Sequence, residues 1–597
     1  MKKAALLMII AMLLAISLPA YAQEFPDVPP DHWGYDAVQE LVNAGIIQGY
    51  PDGMFGGKRA MSRYEFAEAL AKAIPAIEAR IAAGLPGGVP GPVGVPGVVG
   101  PVGPAGPAAE EVQALRKLVD EFRDELAALG VDVEALRRDV AALNERVVAL
   151  EDEVSRVRLT GEVNLIARGE VSHAGSSLDK DGRALGDLTP TDADNPLANS
   201  EFLTDLDFAM KARVNDDVSV NALINTGDYV NNVIGTVDDF TLWNLNMDAA
   251  VKLGPLGAAQ VVVGRFPFQL TPLTLKFVDP DSYTYVTKLD SGDYVLDGGS
   301  ASFNVGKAAL TAFAAKAGPI ADLISPDLML GATDTEVSGI AGARAVIGTG
   351  SLGNVGLTYY QAAASTGRTE IYGADISTTI GTVGVEAEAA QSEPNDALST
   401  AAQVGNQAWN AKLNWQSGNL GVAAGYSTVR TNYHAPGYWS DIGRAVNLVN
   451  VEGPMANLTY ALSPRISLSA EGQFLEPKDN AFAVEGRTSL TQGRTVSVAA
   501  GLLDKITAWK AGIKYSLTAA NSIDLGLEQV SWEPKAGKDT EETYISIGLG
   551  HAFNPNASLK LLYQIVEYEQ GAATVSPYAS TADYRGGVAT AQFQLKY

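Results

Sequence analysis

Four rules of apolar spacing succeed one another along the chain, and each predicts a different element. A nearly unbroken apolar run, Ala4–Leu18, follows Lys2 and Lys3. It is shorter than the ~18–20 residues that cross a bilayer as a helix, and Ala20-Tyr21-Ala22 behind it carries small residues where a signal peptidase cuts. Residues 1–22 are expected to be an export signal. Over 23–83 the spacing turns helical: Asp31 is placed to cap a helix whose Ala37, Val38, Leu41 and Val42 form one face, and Gly45 ends it. Pro51-Asp52-Gly53 reads as a turn, and Ser62 with Glu65 three residues on makes a capping box for a second helix.

The third rule has two parts. From Gly88 to Gly106 every third residue is glycine, the spacing that three wound polyproline-type chains require at their axis. A Pro-Gly linker is the competing reading of residues 84–108. Then Val112, Leu115, Val119, Phe122, Leu126, Leu129, Val133, Leu136, Val140, Leu143, Val147, Leu150, Val154 and Val157 alternate steps of three and four, which predicts a coiled-coil stalk over 109–158. Val at a with Leu at d favours two strands, whereas the glycine tract demands three. The tract decides for a homotrimer, since it forms in no other way. At ~1.5 Å per residue the stalk spans ~73 Å.

From residue 159 the period is two. Trp409, Ala411, Leu413 and Trp415 alternate with Asn410, Lys412, Asn414 and Gln416; Trp509, Ala511, Ile513 and Tyr515 alternate with Lys510, Gly512, Lys514 and Ser516. A soluble β-sandwich alternates too. The connections separate the two readings: short turns such as 215–217, 254–257, 417–419, 462–464 and 554–556 alternate with long polar loops near 172–202, 227–240, 269–298, 432–448 and 569–585. That is the layout of an outer-membrane barrel, and residues 159–597 are read as a large antiparallel transmembrane β-barrel of about 22 strands, with 18 or 20 also compatible because 299–316 and 484–507 are ambiguous. The chain is therefore multi-domain, a small α-helical module and a trimeric rod ahead of a barrel. With an even strand number both barrel ends face the periplasm, so the stalk and the module hang inward, where the wall lies.

Composition narrows the chemistry. Among 597 residues there is no cysteine, which removes disulfides, thiolate metal sites and cysteine nucleophiles, and the four histidines (His32, His173, His434, His551) stand far apart, so no metal site is expected. A net charge of −26 argues against nucleic acid as a partner. Gly348-Thr349-Gly350-Ser351-Leu352-Gly353 matches a dinucleotide fingerprint, yet a strand rather than a helix follows it; it reads as a hairpin turn. Asp179-Lys180-Asp181-Gly182 begins like a calcium loop but lacks the later ligands, and reads as a loop turn. Neither an enzyme activity nor a cofactor is expected.

The segment Phe25-Pro26-Asp27-Val28, His32-Trp33-Gly34-Tyr35, Gly45-Ile46-Ile47-Gln48-Gly49-Tyr50-Pro51-Asp52-Gly53 and Ser62-Arg63-Tyr64-Glu65 resembles an S-layer homology domain. The resemblance implies binding of peptidoglycan or of a pyruvylated or otherwise modified wall polymer, with Asp27, Trp33, Gly49, Arg63 and Glu65 as the contact set. Arg63 is the foremost of these, its planar fork suiting an anionic group; Glu65 is equally accounted for as the helix cap. Ser62-Arg63-Tyr64-Glu65 stands where the family usually has Thr-Arg-Ala-Glu. The layout as a whole resembles the S-layer-homology-domain porins, or outer-membrane tethers, of diderm Firmicutes, the Deinococcus–Thermus group and cyanobacteria; the collagen-like insert departs from the commonest pattern. The aromatic C-terminus of the last strand, Tyr597, resembles the signal read by the outer-membrane assembly machinery. The function implied is a trimeric porin that passes small hydrophilic solutes or ions and tethers the membrane to the wall. The alternative is a non-channel surface protein anchored by the same module.

Residues 159–597 hold 47 Asp and Glu against 28 Lys and Arg, a net −19 that would favour cations in the lumen. The segment 270–298 contains Asp279, Asp281, Asp290, Asp293 and Asp297. It is expected either to fold inward as a constriction or to remain an external acidic loop.

Overall fold

The computed structural model describes Tyr35, Val38, Leu41, residues 138–147, and 156–597 apart from 173–176, 187–198, 235–239, 255–256, 319–336, 351–352, 365–366, 396–403, 491–494, 574 and 579–581. The chain divides into two compact units, Met1–Pro104 and Ala105–Tyr597. In the first, the three described residues are helical. The collagen-like tract and the wall-binding set Asp27, Trp33, Gly49, Arg63 and Glu65 lie outside the described residues. In the second, 138–147 is helical, as the heptad spacing requires. That spacing runs on to Val157, but the first strand, Val157–Ser172, already claims this residue.

Twenty strands form one antiparallel sheet in which each strand pairs with the next in the chain, and the first strand pairs with the last, Tyr584–Lys596, so the sheet closes into a barrel. Closure leaves no unpaired edge, which is what a sheet in hydrocarbon needs. The backbone seam continues to the C-terminus, where Gly161 and Tyr597 exchange hydrogen bonds of 2.9 and 3.0 Å. Turns at the end where the first strand begins and the last strand ends are short. Leu420 follows Ser417 through Gly418-Asn419, Gly418 taking the φ of 53° that a tight hairpin of this hand demands. The G-x-G-x-x-G stretch is such a turn too, between Val337–Gly348 and Asn354–Ala364. Long connections all lie at the opposite end.

The strand number is 20 rather than 22, and the two ambiguous segments explain the difference. Residues 299–316 supply two wall strands, Tyr294–Val305 and Ala308–Ala317, whereas Val484–Arg487 and Val496–Val498 leave the wall and join Asp441–Ile442 and Ala445–Val449 in a separate four-stranded sheet. Strands of two to five residues are too short to span a membrane, where about 9–11 are needed.

The period-two pattern gives the wall two unlike faces. Leu159, Leu165, Phe208, Leu413, Ile513, Ile547 and Leu595 are exposed outward, a continuous apolar surface that has a place only in lipid. Phe202, Phe240, Trp409 and Phe474 flank it at the long-loop end, and Trp415, Tyr460, Tyr515 and Phe553 at the end of the termini, as aromatic girdles do. The inward residues are the buried ones. Ile166, beside exposed Leu165, is 3% exposed, because the long loops turn back into the barrel and cover it.

Candidate functional site: a lumen narrowed by inward loops

Segment 269–293 leaves the wall between Ala258–Phe268 and Tyr294–Val305 and crosses the lumen. At one side Leu273 donates its N–H to Glu388 (3.0 Å), and its carbonyl accepts from the Tyr433 hydroxyl; the Tyr360 hydroxyl donates to the Thr274 carbonyl. At the other side Tyr283 donates to Gln564 (2.9 Å), Gln592 bonds both the N–H (3.0 Å) and the carbonyl (2.7 Å) of Tyr285, and Thr287 donates to Glu162 (2.6 Å). Lys288, in the short helix Thr287–Asp290, ends the crossing. Its ammonium lies 2.6 Å from Asp205 and 3.0 Å from Asp207, over the Trp243 ring, with all four side chains turned into the barrel. Around these polar anchors Leu273, Leu275, Phe277, Val286 and Leu289 pack against Phe313, Tyr360 and Ile371 of the wall. Burial of these apolar residues holds the loop down, while the anchors fix its register.

A second loop meets the first. Asp179 pairs with Arg168 of the first strand (2.5 Å), Lys180 with Glu528 (2.7 Å), and Arg183 bridges Asp181 (3.4 Å) and Asp281 (3.2 Å). The turn read at 179–182 is present, with Gly182 at φ 93°. It is also a buried joint: Asp181 accepts from the Ser282 N–H, and Ser489 donates to the Asp181 carbonyl. A third and a fourth loop carry the four-stranded sheet. Asn450, in the left-handed region at φ 60°, ties them together by donating to the carbonyls of Asp479, Phe482 and Ala483.

The five aspartates of 270–298 are placed in two ways. Asp281 is buried, and accepts hydrogen bonds from Tyr229 and Thr284 (2.8 Å each). Asp279, Asp290 and Asp293 are partly buried in the same loop. Asp297 stands apart: it lies on the wall strand Tyr294–Val305, faces outward and holds Arg265 in a two-pronged pair at 2.7 and 2.9 Å. Spacing could not reveal the most heavily used residues, Lys288, Asp205, Asp207, Glu162 and Glu528. A carboxylate on the polar face of a strand looks the same whether it meets water or a loop.

Burial, with Asp290 adjoining, pushes the Asp279 carboxyl up to about 8, and burial pushes Asp290 up to about 6. A group raised above its unfolded value of ~3.9 binds more protons folded than unfolded, so its contribution holds at acid pH and is lost as pH rises through the folded value. The inward packing of 270–292 should therefore loosen between about pH 4 and pH 8. Hydrogen exchange of these amides, corrected for the intrinsic rate, should accelerate over that range, and Asp279→Asn should flatten the profile.

A closed 20-stranded barrel with an apolar outer belt and a loop-filled lumen defines an outer-membrane β-barrel protein. Residues 24–67 match the S-layer homology domain. The chain is 44% identical over 81 residues to outer membrane protein alpha of Thermotoga maritima, covering 14% of this chain and 20% of that protein. It is 32% identical over 135 residues to outer membrane protein SlpA of Thermus thermophilus, 23% of this chain and 13% of that one. An S-layer protein of Bacillus anthracis, sap, is 39% identical over 64 residues, 10% and 8% of the two chains. The matched stretches thus span a fifth or less of these relatives. Among solved structures, Pseudomonas aeruginosa OpdO aligns with 74% of this chain and 98% of its own at 12% identity, with a TM-score of 0.40. The module, the barrel and the outer-membrane location agree with the sequence reading, and the relatives are envelope proteins rather than enzymes.

Proposed function

We propose that the protein is a homotrimeric porin that also tethers the outer membrane to the wall: each barrel passes small hydrophilic solutes or ions past its inward loops, and each S-layer homology module grips peptidoglycan or an attached, modified polymer. The observation that carries this reading is the closed even-stranded barrel whose first strand begins and last strand ends at its short-turn end, in one chain with an S-layer homology domain. Three modules on one rod would gain avidity that a single weak one lacks. Tyr597, directly after the last strand, would serve the assembly machinery.

Segment 269–293 is the constriction in this reading; Asp281, Asp290 and Asp293 bias it toward cations, and Asp279 joins them only once the pH exceeds its raised value of about 8. The test is the reversal potential across a salt gradient. Changing these four to Asn should shift it toward zero by at least half, while Asp297→Asn, on the outer face, should leave it where it was. An unchanged potential in the fourfold variant would sink the constriction. One observation favours the second reading, a tether with no conducting path: the inward loops bond to one another as well as to the wall, as Ser489 does to Asp181 and Ser282 to Asp181. A silent but folded barrel would decide for it.

A further inference from the structure

Among the described residues the four-stranded sheet inside the barrel shares no ladder with the wall: its pairings run among Asp441–Ile442, Ala445–Val449, Val484–Arg487 and Val496–Val498. It lies against the wall through an apolar face, Ile442, Leu448, Val484 and Val496 meeting Ile506, Val530, Trp532 and Val566. Such packing is non-directional. Directional attachments are few: Lys510 of the wall pairs with Asp441 (3.6 Å), Ser497 donates its N–H to the Pro577 carbonyl (3.0 Å), and the tip of the first hairpin, Gly443-Arg444, enters the wall itself. Gly443, at φ 59°, donates its N–H to Glu528 (3.0 Å), and Arg444 donates its N–H to Glu542 (3.3 Å). A Cβ at Gly443 would come within 2.6 Å of the Glu542 carboxylate, so the tip enters a socket fitted to glycine.

The Arg444 side chain fills that socket in an unusual state. It is 1% exposed, and none of its three guanidinium nitrogens makes a hydrogen bond among the described residues. Its plane lies 3.8 Å over the Tyr578 ring, with Tyr568 and Tyr584 at 5.4 and 5.5 Å, and Glu542 is 4.0 Å away. Glu542 is already taken by Trp532 (2.8 Å), Tyr544 (2.6 Å) and Tyr578 (2.7 Å). The other inward loops are fastened by short ion pairs, at Lys288 and Asp205 and at Arg168 and Asp179. A buried charge held by ring faces, with its donors unmet, regains water when it leaves, so the socket favours the docked state less than a forked pair would.

We propose that the four-stranded sheet is a movable plug and that Gly443-Arg444, seated among Tyr568, Tyr578 and Tyr584, is its releasable latch. Undocking moves the sheet as a unit, since no β-ladder to the wall has to break and beside the latch only the Lys510–Asp441 pair and the Ser497–Pro577 bond part, and it widens the lumen at the long-loop end. The inference rests on the porin reading for its effect on conduction, but not for the motion itself.

The test uses the full-length chain in detergent and in planar bilayers. Trypsin cleavage after Arg487, which is 2% exposed in the docked sheet, reports release. Arg444→Gln and Tyr578→Leu, each checked for a folded barrel by its heat-dependent migration in gels, should speed that cleavage at least tenfold and raise the conductance of each open step. Arg444→Lys keeps the charge without the stacking plane and serves if the larger changes prevent assembly; it should give a smaller increase of the same sign. Faster cleavage in silent barrels would uphold the latch and remove the porin reading. Cleavage at the wild-type rate in every variant that folds would overturn the latch.

Discussion

Lys288→Met is expected to free the loop across the lumen: single-channel conductance should rise severalfold, with noisier open steps, and trypsin should cut after Lys276. The ammonium of Lys288 is the sole cation bonded to Asp205 and Asp207 among the described residues, and both carboxylates are almost fully buried two positions apart on one strand. Removing one partner of a buried pair costs ~3–5 kcal/mol, because the remaining charge keeps its burial and loses its compensation. Here two like charges are left. Methionine fills a similar volume, so packing beside Trp243 is largely kept and the charge carries the effect. Changing Asp205 and Asp207 to Asn together with Lys288→Met removes the uncompensated charge and should return conductance most of the way to wild type. If Lys288→Met behaves as wild type, the pair does not hold the loop.

Arg63→Ala should release the protein from the wall. A charge-assisted hydrogen bond is worth ~1.5–3 kcal/mol, so each module should lose roughly tenfold or more in affinity. In a trimer these losses multiply, toward the ~10²–10⁴ that multivalency contributes. Retention of the purified full-length protein on wall sacculi measures this directly. Substitutions at heptad positions that dissociate the stalk should reduce retention as well, with Arg63 intact. Undiminished retention of the Arg63→Ala protein would place the grip elsewhere in the module.

Alternation along a strand reports its two surroundings, and this is why the wall was legible. Trp409, Ala411, Leu413 and Trp415 face lipid as their spacing predicts, and the short turns fall where glycine, asparagine and proline cluster. The pattern failed at Val484–Arg487 and Val496–Val498, because a short β-prone run looks alike in a wall and in a plug; only its length, three or four residues, tells against the wall. The loops' interior contacts were less legible still. Lys288 meets Asp205 across 83 positions, and Lys180 meets Glu528 across 348. No local spacing encodes such pairs, and a polar loop that fills a lumen has the composition of one that faces water. The turn at Asp179-Lys180-Asp181-Gly182 illustrates both sides: its conformation followed from its residues, its place as a joint between loops did not.

Single-channel recording of the detergent-purified, full-length protein in a planar bilayer tests the central claim most directly. A trimeric porin narrowed by inward loops predicts discrete cation-preferring steps that arrive in threes, each smaller than an unobstructed 20-stranded lumen would pass. Barrels that are folded and membrane-embedded yet carry no current would contradict it and leave tethering as the protein's work.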